Sequence, residues 1–416
     1  MTASLKYGSS QLGLSLSDFE VLEPGLMRKI AYPRAAVLDA LKSPESCRPL
    51  CETASVRKNA AIVVSDRTRT TKADVVLPVI IGELNKSGIE DRDISIVFAT
   101  GTHPSHTEAD MKKIVGPFVW GRKLRFLDHD CRDDSNLVEL GRTARGNRVR
   151  VSRFVAEADM KILTGGITYH YFAGFGGGRK SVLPGISAFD TIQYNHKLVM
   201  SDKLKCRTGN LEGNPVHLDM LEAAGMVAPD FIVNTVLNGE RELSGVFAGD
   251  LEAAHKKGCG FIDRHARAQI ESKADLVIAS AGGGTKDLNF VQSHKAMENA
   301  SYALRDGGTM ILVASAAEGF PSGAYMKYVE LGSSKRIEEE LMRDFSIPGH
   351  TIYSAMRKAE RFRIIWVTEL DHGVVRKFGI TPVSSLDEAL KLSEAGRTYV
   401  MPEAYLTLPV VHQEQD

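Results

Sequence analysis

Residues 164–199 read TGGITYHYFAGFGGGRKSVLPGISAFDTIQYNHKLV. A short strand-like run at 159–164 delivers the chain into this stretch, which passes through His170 into Gly174 and Gly176, Gly177 and Gly178. Arg179-Lys180 follows at once, a Pro184-Gly185 turn comes next, and Asn195-His196 closes it. A strand emptying into such a loop is a connection of an open α/β sheet, where ligands bind beyond the carboxyl ends of strands. Glycine supplies positive φ and close backbone approach. Successive N–H groups in a loop of this kind form an anion nest, and a helix starting near Arg179 would add its positive end. The pattern is not a dinucleotide fingerprint, because arginine stands where the last glycine belongs, and Arg179-Lys180-Ser181 does not have Walker A spacing. The spacing reads as a phosphate or carboxylate site with a lysine in reach. A glycine-rich connection between two elements is the plainer alternative.

The rest of the composition sets bounds. A chain of 416 residues is long for one core and suggests two domains. Lys+Arg and Asp+Glu balance at 52 each, which leaves no basic field for nucleic acid. No apolar run is long enough to span a bilayer, and MTASLKYGSS has no apolar signal core. Five scattered cysteines suit a reducing cytoplasm more than a disulfide framework. Cys47 and Cys51 lack a second pair to complete a zinc site and read as structural.

Outward from the glycine loop, residues 4–16 alternate around Gly8 as a short hairpin does, and residues 35–43 look helical. The run 60–65 (AAIVVS) is a buried strand ending in Asp66-Arg67-Thr68-Arg69, with a helix through 86. The run 94–100 (ISIVFAT) is a second strand, ending in Gly101-Thr102-His103 and His106, before a helix capped at Thr107. The charge-rich segment 120–151 reads as a strand end and loop, not a metal site around His129. Gly213-Asn214-Pro215 reads as a turn and helix start. Residues 230–250 read as two strands joined at Asn238-Gly239. A long helix over 251–272 marks the boundary between a domain of residues 1–272 and one of residues 273–416. The second half opens with a strand at 274–280 and three glycines, then Gln292, His294 and Lys295, with Gln292 and Lys295 on one helix face. Further strands are expected at 309–314, 363–367 and 398–401. Helices are expected at about 336–343, 350–361 and 386–395, with residues 402–416 as a tail packing back. Two histidines, His103 and His170, fall just past strand ends, and histidine changes charge near neutral pH.

HYFAGFGGGRKSVLPGI at 170–186, followed by Asn195-His196, resembles the signature of the nickel-dependent lactate racemase family. Members are 2-hydroxy-acid racemases and epimerases that carry a nickel pincer nucleotide. Asp66 to Arg69 resembles the family's Asp-x-Thr-Arg motif, Gly101 to His103 its Gly-x-His motif, and Gln292 to Lys295 its Gln-Ser-x-Lys motif. The resemblance implies two α/β domains with the active site in the cleft between them, and an isomerase activity. It implies that Lys180 holds the cofactor covalently, a pyridinium-3-thioamide-5-thiocarboxylic acid mononucleotide, and that His196 is a nickel ligand. His103 and His170 would be the two catalytic bases, while Asp66, Arg69, Gln292 and Lys295 would bind substrate. The Cα hydride would move to the cofactor, leaving a 2-keto acid, and return to its other face. The nest at Gly176, Gly177 and Gly178 would hold the cofactor phosphate or its neighbourhood. Cofactor-biosynthesis proteins are implied as partners. No role is implied for His106 or His294.

Arg67 adds a second positive charge beside Arg69, which suggests a larger or more acidic substrate than lactate, such as malate or an aldonate. Phe290 and Val291 stand before Gln292, where an aromatic residue directly before the glutamine is expected. The competing readings are a nucleotide-dependent 2-hydroxy-acid dehydrogenase using the loop as a phosphate nest, and a non-enzymatic cofactor binder.

Overall fold

The strand Ala60–Ser65 is almost wholly buried, as a central parallel strand covered on both faces must be. In the computed structural model, which describes residues 1–394 and 396–412, it lies fourth in a six-stranded sheet. The spatial order is Leu243–Gly249, Phe231–Leu237, Met160–Gly166, Ala60–Ser65, Ile94–Ala99 and Arg125–Asp128. All pairings are parallel except that of the Leu243–Gly249 edge with Phe231–Leu237. Helices Pro33–Lys42, Ala73–Lys86 and Glu108–Trp120 bury Val37, Leu77, Ile80 and Val115 against Ile62, Ile96 and Phe98. Thr107 caps the last of these, accepting from Asp110 N at 3.1 Å, while Asp110 accepts from Thr107 N. This sheet belongs to a unit spanning residues 27–263.

Chain order reverses between Ala60–Ser65 and Met160–Gly166. Strands after the first run one way across the sheet, and those after the second run the other. Such a switch point opens a crevice at the carboxyl ends of the two strands. The loops leaving those ends carry Asp66 and the glycine-rich stretch.

The second unit comprises residues 1–26 and 264–416. Its sheet runs Thr381–Val383, Arg363–Val367, Leu304–Val313, Ala274–Ser280, Thr398–Met401 and Glu20–Val21, all parallel. It is likewise α/β. The N-terminal hairpin, Thr2–Tyr7 against Ser10–Ser15, is therefore part of this unit and not of the first domain. Leu5 and Leu14 enter its core with Ile278 and Ile311. Gly8 N donates to the buried Asp287 at 2.7 Å, and Gly8 O accepts from Gly284 N at 2.8 Å.

The sequence boundary at 272 shifts for a related reason. The helix Ala253–Ala266 stops short, and Arg267–Ile270 becomes a strand paired with Leu408–Val411. A partner more than a hundred residues away in sequence is invisible to local periodicity. The segment 120–151, read as a strand end and loop, holds the strand Arg125–Asp128 and also most of the hairpin Leu137–Arg142 with Arg148–Ser152. The helix expected at 386–395 is Leu386–Lys391, and Ala395 and residues 413–416 of the tail lie outside the described residues. No helix of the described residues is long and apolar enough to cross a membrane.

Leu5→Ala is expected to cost about 2–5 kcal/mol. Segment-resolved hydrogen exchange should show faster opening in residues 264–412 and little change in 27–263. Loosening confined to 27–263 would contradict the assignment of the hairpin.

Candidate active site

Asp66 ends its strand almost fully buried. It accepts from Thr68 N at 3.0 Å and Thr68 Oγ1 at 2.7 Å, and its other oxygen takes Nδ1 of His103. Burial alone would raise its pKa. The hydrogen bond and charge of His103, with Arg69 and Thr68, outweigh burial and hold the carboxyl below its usual range. A carboxylate can only accept, so His103 carries its proton on Nδ1, which leaves the lone pair of the neutral ring on Nε2. The His103 side chain is about half exposed. Arg69 is also exposed, and among the described residues its guanidinium makes no ion pair.

Arg67 behaves differently. Its guanidinium pairs with Asp110 at 3.1 Å, so the charge that suggested a more acidic substrate is already taken up. His106, to which the resemblance gives no role, supports the site from behind. Its side chain is buried, Nδ1 donates to Asp128 at 2.7 Å, and Nε2 accepts from Arg67 N at 3.2 Å. It pins the Asp66–Arg69 loop to the neighbouring strand Arg125–Asp128.

The glycine loop corrects the sequence reading most. Gly176 N donates to Thr168 O at 2.8 Å, Gly178 N to Asn234 Oδ1 at 2.8 Å, and Lys180 N to Gly177 O at 3.1 Å. Two N–H groups of the expected nest, those of Gly176 and Gly178, and that of Lys180 beyond it are thus spent inside the protein. The carbonyls turn inward instead, onto Arg179, which is fully buried. Its Nη2 donates to Ala173 O at 2.8 Å, and Nη1 to His255 Nε2 at 2.8 Å and to Gly176 O and Gly177 O at 3.4 Å. Among the described residues no carboxylate meets this cation, and burial lowers its pKa to about 10. The glycines are needed for packing. A Cβ on Gly177, at φ +72°, would sit 2.8 Å from Asn234 Oδ1 and Ile167 Cγ1, and one on Gly178 2.9 Å from His255 Cδ2.

Because the backbone is wrapped around Arg179, the next residue, Lys180, is left half-buried with Nζ 5.8 Å from the ring centroid of Phe172. The Phe172 ring is the meeting point of the site. The His170 ring lies 4.5 Å from it, edge-on, and the His196 ring 5.1 Å. His170 Nδ1 accepts from Ala173 N at 3.2 Å. Tyr169, whose hydroxyl donates to Asp263 at 2.9 Å, anchors the start of this turn. The loop of His103 docks beside the same segment, with Gly101 N donating to Gly185 O at 2.9 Å. Sequence reasoning missed Phe172, although an aromatic residue between a histidine and a glycine run was the available signal.

Gln292 and Lys295 lie in the other unit, on the helix Phe290–Ser301, with Lys295 Nζ donating to Gln292 Oε1 at 2.7 Å. Phe290 is core, packed on Phe320 and Phe378. His294 is buried, and desolvation pushes its pKa well down, so it packs as a neutral ring.

Two family models match the chain, the lactate racemase N-terminal domain over residues 7–207 and the lactate racemase C-terminal domain over residues 269–403. The chain is 32% identical over 404 residues to the lactate racemase of Thermoanaerobacterium thermosaccharolyticum, covering 94% of each. The chain belongs to the lactate racemase family. It is therefore an isomerase of the racemase class, in a family that depends on nickel. The lactate racemase of Lactiplantibacillus plantarum is 33% identical over 375 residues, 88% of each chain. The solved lactate racemase apoprotein from T. thermosaccharolyticum superposes with a TM-score of 0.92 at 30% identity, covering 99% of this chain and 100% of that one. A Thermotoga maritima protein shares the fold at 17% identity, with a TM-score of 0.67 over 87% of this chain and 97% of that one.

Two outcomes follow from the Arg179 cage. Gly177→Ala is expected to destabilise the apoprotein by about 2–4 kcal/mol from strain and overlap, measured by denaturant unfolding. A free anion nest with the same backbone would cost only the strain at positive φ, about 1–2 kcal/mol. Burial and the charges of Arg179 and Lys256 hold His217, packed beside His255, at about 3. Its folded pKa lies below the unfolded value near 6.5. Neutral His217 costs nothing above that pH, and stability is lost as pH falls from about 6.5 toward 3. The loss is about 1.4 kcal/mol per pH unit for one group. His217→Gln should reduce that slope by one proton. An unchanged slope would refute a buried neutral ring.

Proposed function

We propose that the chain interconverts the enantiomers of a small 2-hydroxy monocarboxylic acid, lactate first among them. In this reading Lys180 carries a nickel pincer nucleotide and His196 is the protein's nickel ligand. The observation that carries it is the meeting of His170, Lys180 and His196 around the ring of Phe172. An amine suits a covalent tether, and imidazole suits divalent nickel. Among the described residues no group of three His, Cys, Asp or Glu could hold a metal. A metal at His196 would take its other ligands from a bound group, and a pincer nucleotide provides them. When bound, that group supplies the hydride acceptor for the substrate Cα–H.

The chain's own residues handle protons and orientation. With Nδ1–H held by Asp66, His103 Nε2 takes the hydroxyl proton of one enantiomer, and Asp66 steadies the resulting imidazolium. His170 serves the other enantiomer. As the imidazolium it returns a proton to that enantiomer's alkoxide, and as the neutral ring it takes that enantiomer's hydroxyl proton. Arg69 offers a planar fork to the substrate carboxylate. Gln292 and Lys295 are proposed as further substrate-binding residues. Asp110 already matches Arg67, which supports a substrate with one carboxylate. The spent N–H groups of the glycine loop, like the family match, count against a dehydrogenase built on a phosphate nest. Maturation by cofactor-supplying proteins, in the cytoplasm, completes the proposal.

The test is turnover of single-enantiomer 2-hydroxy acids by protein produced with the cofactor pathway. Lactate should reach the racemate, with malate and aldonates much slower. Loaded protein that racemises malate or an aldonate but leaves lactate unchanged would overturn the substrate assignment. Asp66→Asn should lower kcat by about 10²–10⁴ while nickel content stays the same. An unchanged kcat would remove Asp66 from the proton path.

A further inference from the structure

The helix Phe189–Lys197, which carries His196, has an unusual buried face. Its buried residues are Thr191, Ile192, Asn195 and His196, so three of four are polar. Apolar area cannot set the rotation of so short a helix, and isolated helices of this length are marginal. Hydrogen bonds set it instead. Asn195 Nδ2 donates to Asp219 Oδ2 at 2.9 Å and to Val216 O at 3.1 Å. Asn147 Nδ2 donates to the same Asp219 oxygen at 2.8 Å and to Thr191 O at 3.2 Å, while Thr143 Oγ1 donates to Asp219 Oδ1 at 2.6 Å.

Asp219 is fully buried. Every donor it meets is neutral, and among the described residues no cation pairs with it. A buried carboxylate is costly unless its hydrogen bonds are satisfied. This one gathers three elements: its own helix Pro215–Val227, the turn between Leu137–Arg142 and Arg148–Ser152, and the helix of His196. Successive helical residues point about 100° apart. With Asn195 fixed on Asp219, His196 is turned toward Phe172, 5.1 Å away at 70°. The same helix start holds the other side of the site, since its cap Asn214 donates to Phe172 O at 2.9 Å.

We propose that Asp219 is a positioning residue that aims His196 at the cofactor's metal. The proposal rests on the reading of Lys180 and His196 given above. It reaches the metal only through Asn195 and the helix.

The test compares Asp219→Asn with the parent chain, both produced with the cofactor pathway. The amide would set a donor against the donors of Asn147 and Asn195. Three quantities are read: adduct mass on Lys180, nickel per adduct during chelator challenge, and the apoprotein melting temperature. The expected result is normal adduct with nickel lost about tenfold faster or more, the scale seen when groups supporting a metal ligand are removed. Thr143→Val, which keeps the carboxylate and removes one donor, should show a smaller loss in the same direction, and decides the matter if the first variant does not fold. Nickel retention equal to the parent's, with only a lower melting temperature, would overturn the proposal and leave Asp219 a purely structural group. A parent chain with neither adduct nor nickel would instead overturn the reading beneath it.

Discussion

Burial of the Arg179 guanidinium without a carboxylate is the constraint on which the site depends. A cation in that position must find neutral acceptors, and only backbone carbonyls and His255 are at hand. The loop therefore folds its carbonyls inward at Ala173, Gly176 and Gly177. That turn is possible only with glycine at positive φ and without a Cβ against Asn234, Ile167 and His255. Lys180 emerges from the cage beside Phe172 because of it. The glycine run thus serves packing and aim more than anion binding.

Around this cage the fold works through neighbours. The switch point between Ala60–Ser65 and Met160–Gly166 brings the Asp66 loop and the glycine loop to one edge of the sheet. Gly166 and Thr71 meet there, a Cβ on the glycine falling 3.3 Å from Thr71 Cγ2. His106 and Asp128 hold the first loop, and the Pro215–Val227 helix holds the second. The three histidines proposed to do chemistry are each held by a partner: His103 by Asp66, His170 by the backbone of Ala173, and His196 by Asp219 by way of Asn195.

Much of this was legible in the sequence. Buried runs at Ala60–Ser65 and Ile94–Ala99 gave α/β units, because strands covered on both faces show as unbroken apolar segments. Thr107 and Asp110 announced a capped helix. Asp66, His103, His170, Lys180 and His196 were singled out at strand ends and around the glycine loop, while their roles came from the family resemblance. What stayed hidden depends on distant partners. The N-terminal hairpin belongs to the C-terminal unit through Leu5, Leu14 and Gly8, and Arg267–Ile270 is a strand only because Leu408–Val411 pairs with it. Arg67 looked like free charge until Asp110 was in view, and His106 had no role until Asp128 was. Asn214, His217 and Asp219 read as an ordinary helix start, since nothing local says that all three would be buried and face different neighbours. The glycine run misled because free N–H groups and carbonyls turned inward have the same sequence.

The central claim is that Lys180 and His196 together hold a nickel-bearing organic group. Its most direct test is peptide-mapped mass analysis with nickel determination on chain produced with the cofactor pathway. The account expects an added mass on the peptide containing Lys180 and about one nickel per modified chain, with the nickel lost and the adduct kept in His196→Ala. An unmodified Lys180 with no nickel, in protein made beside a working pathway, would contradict it.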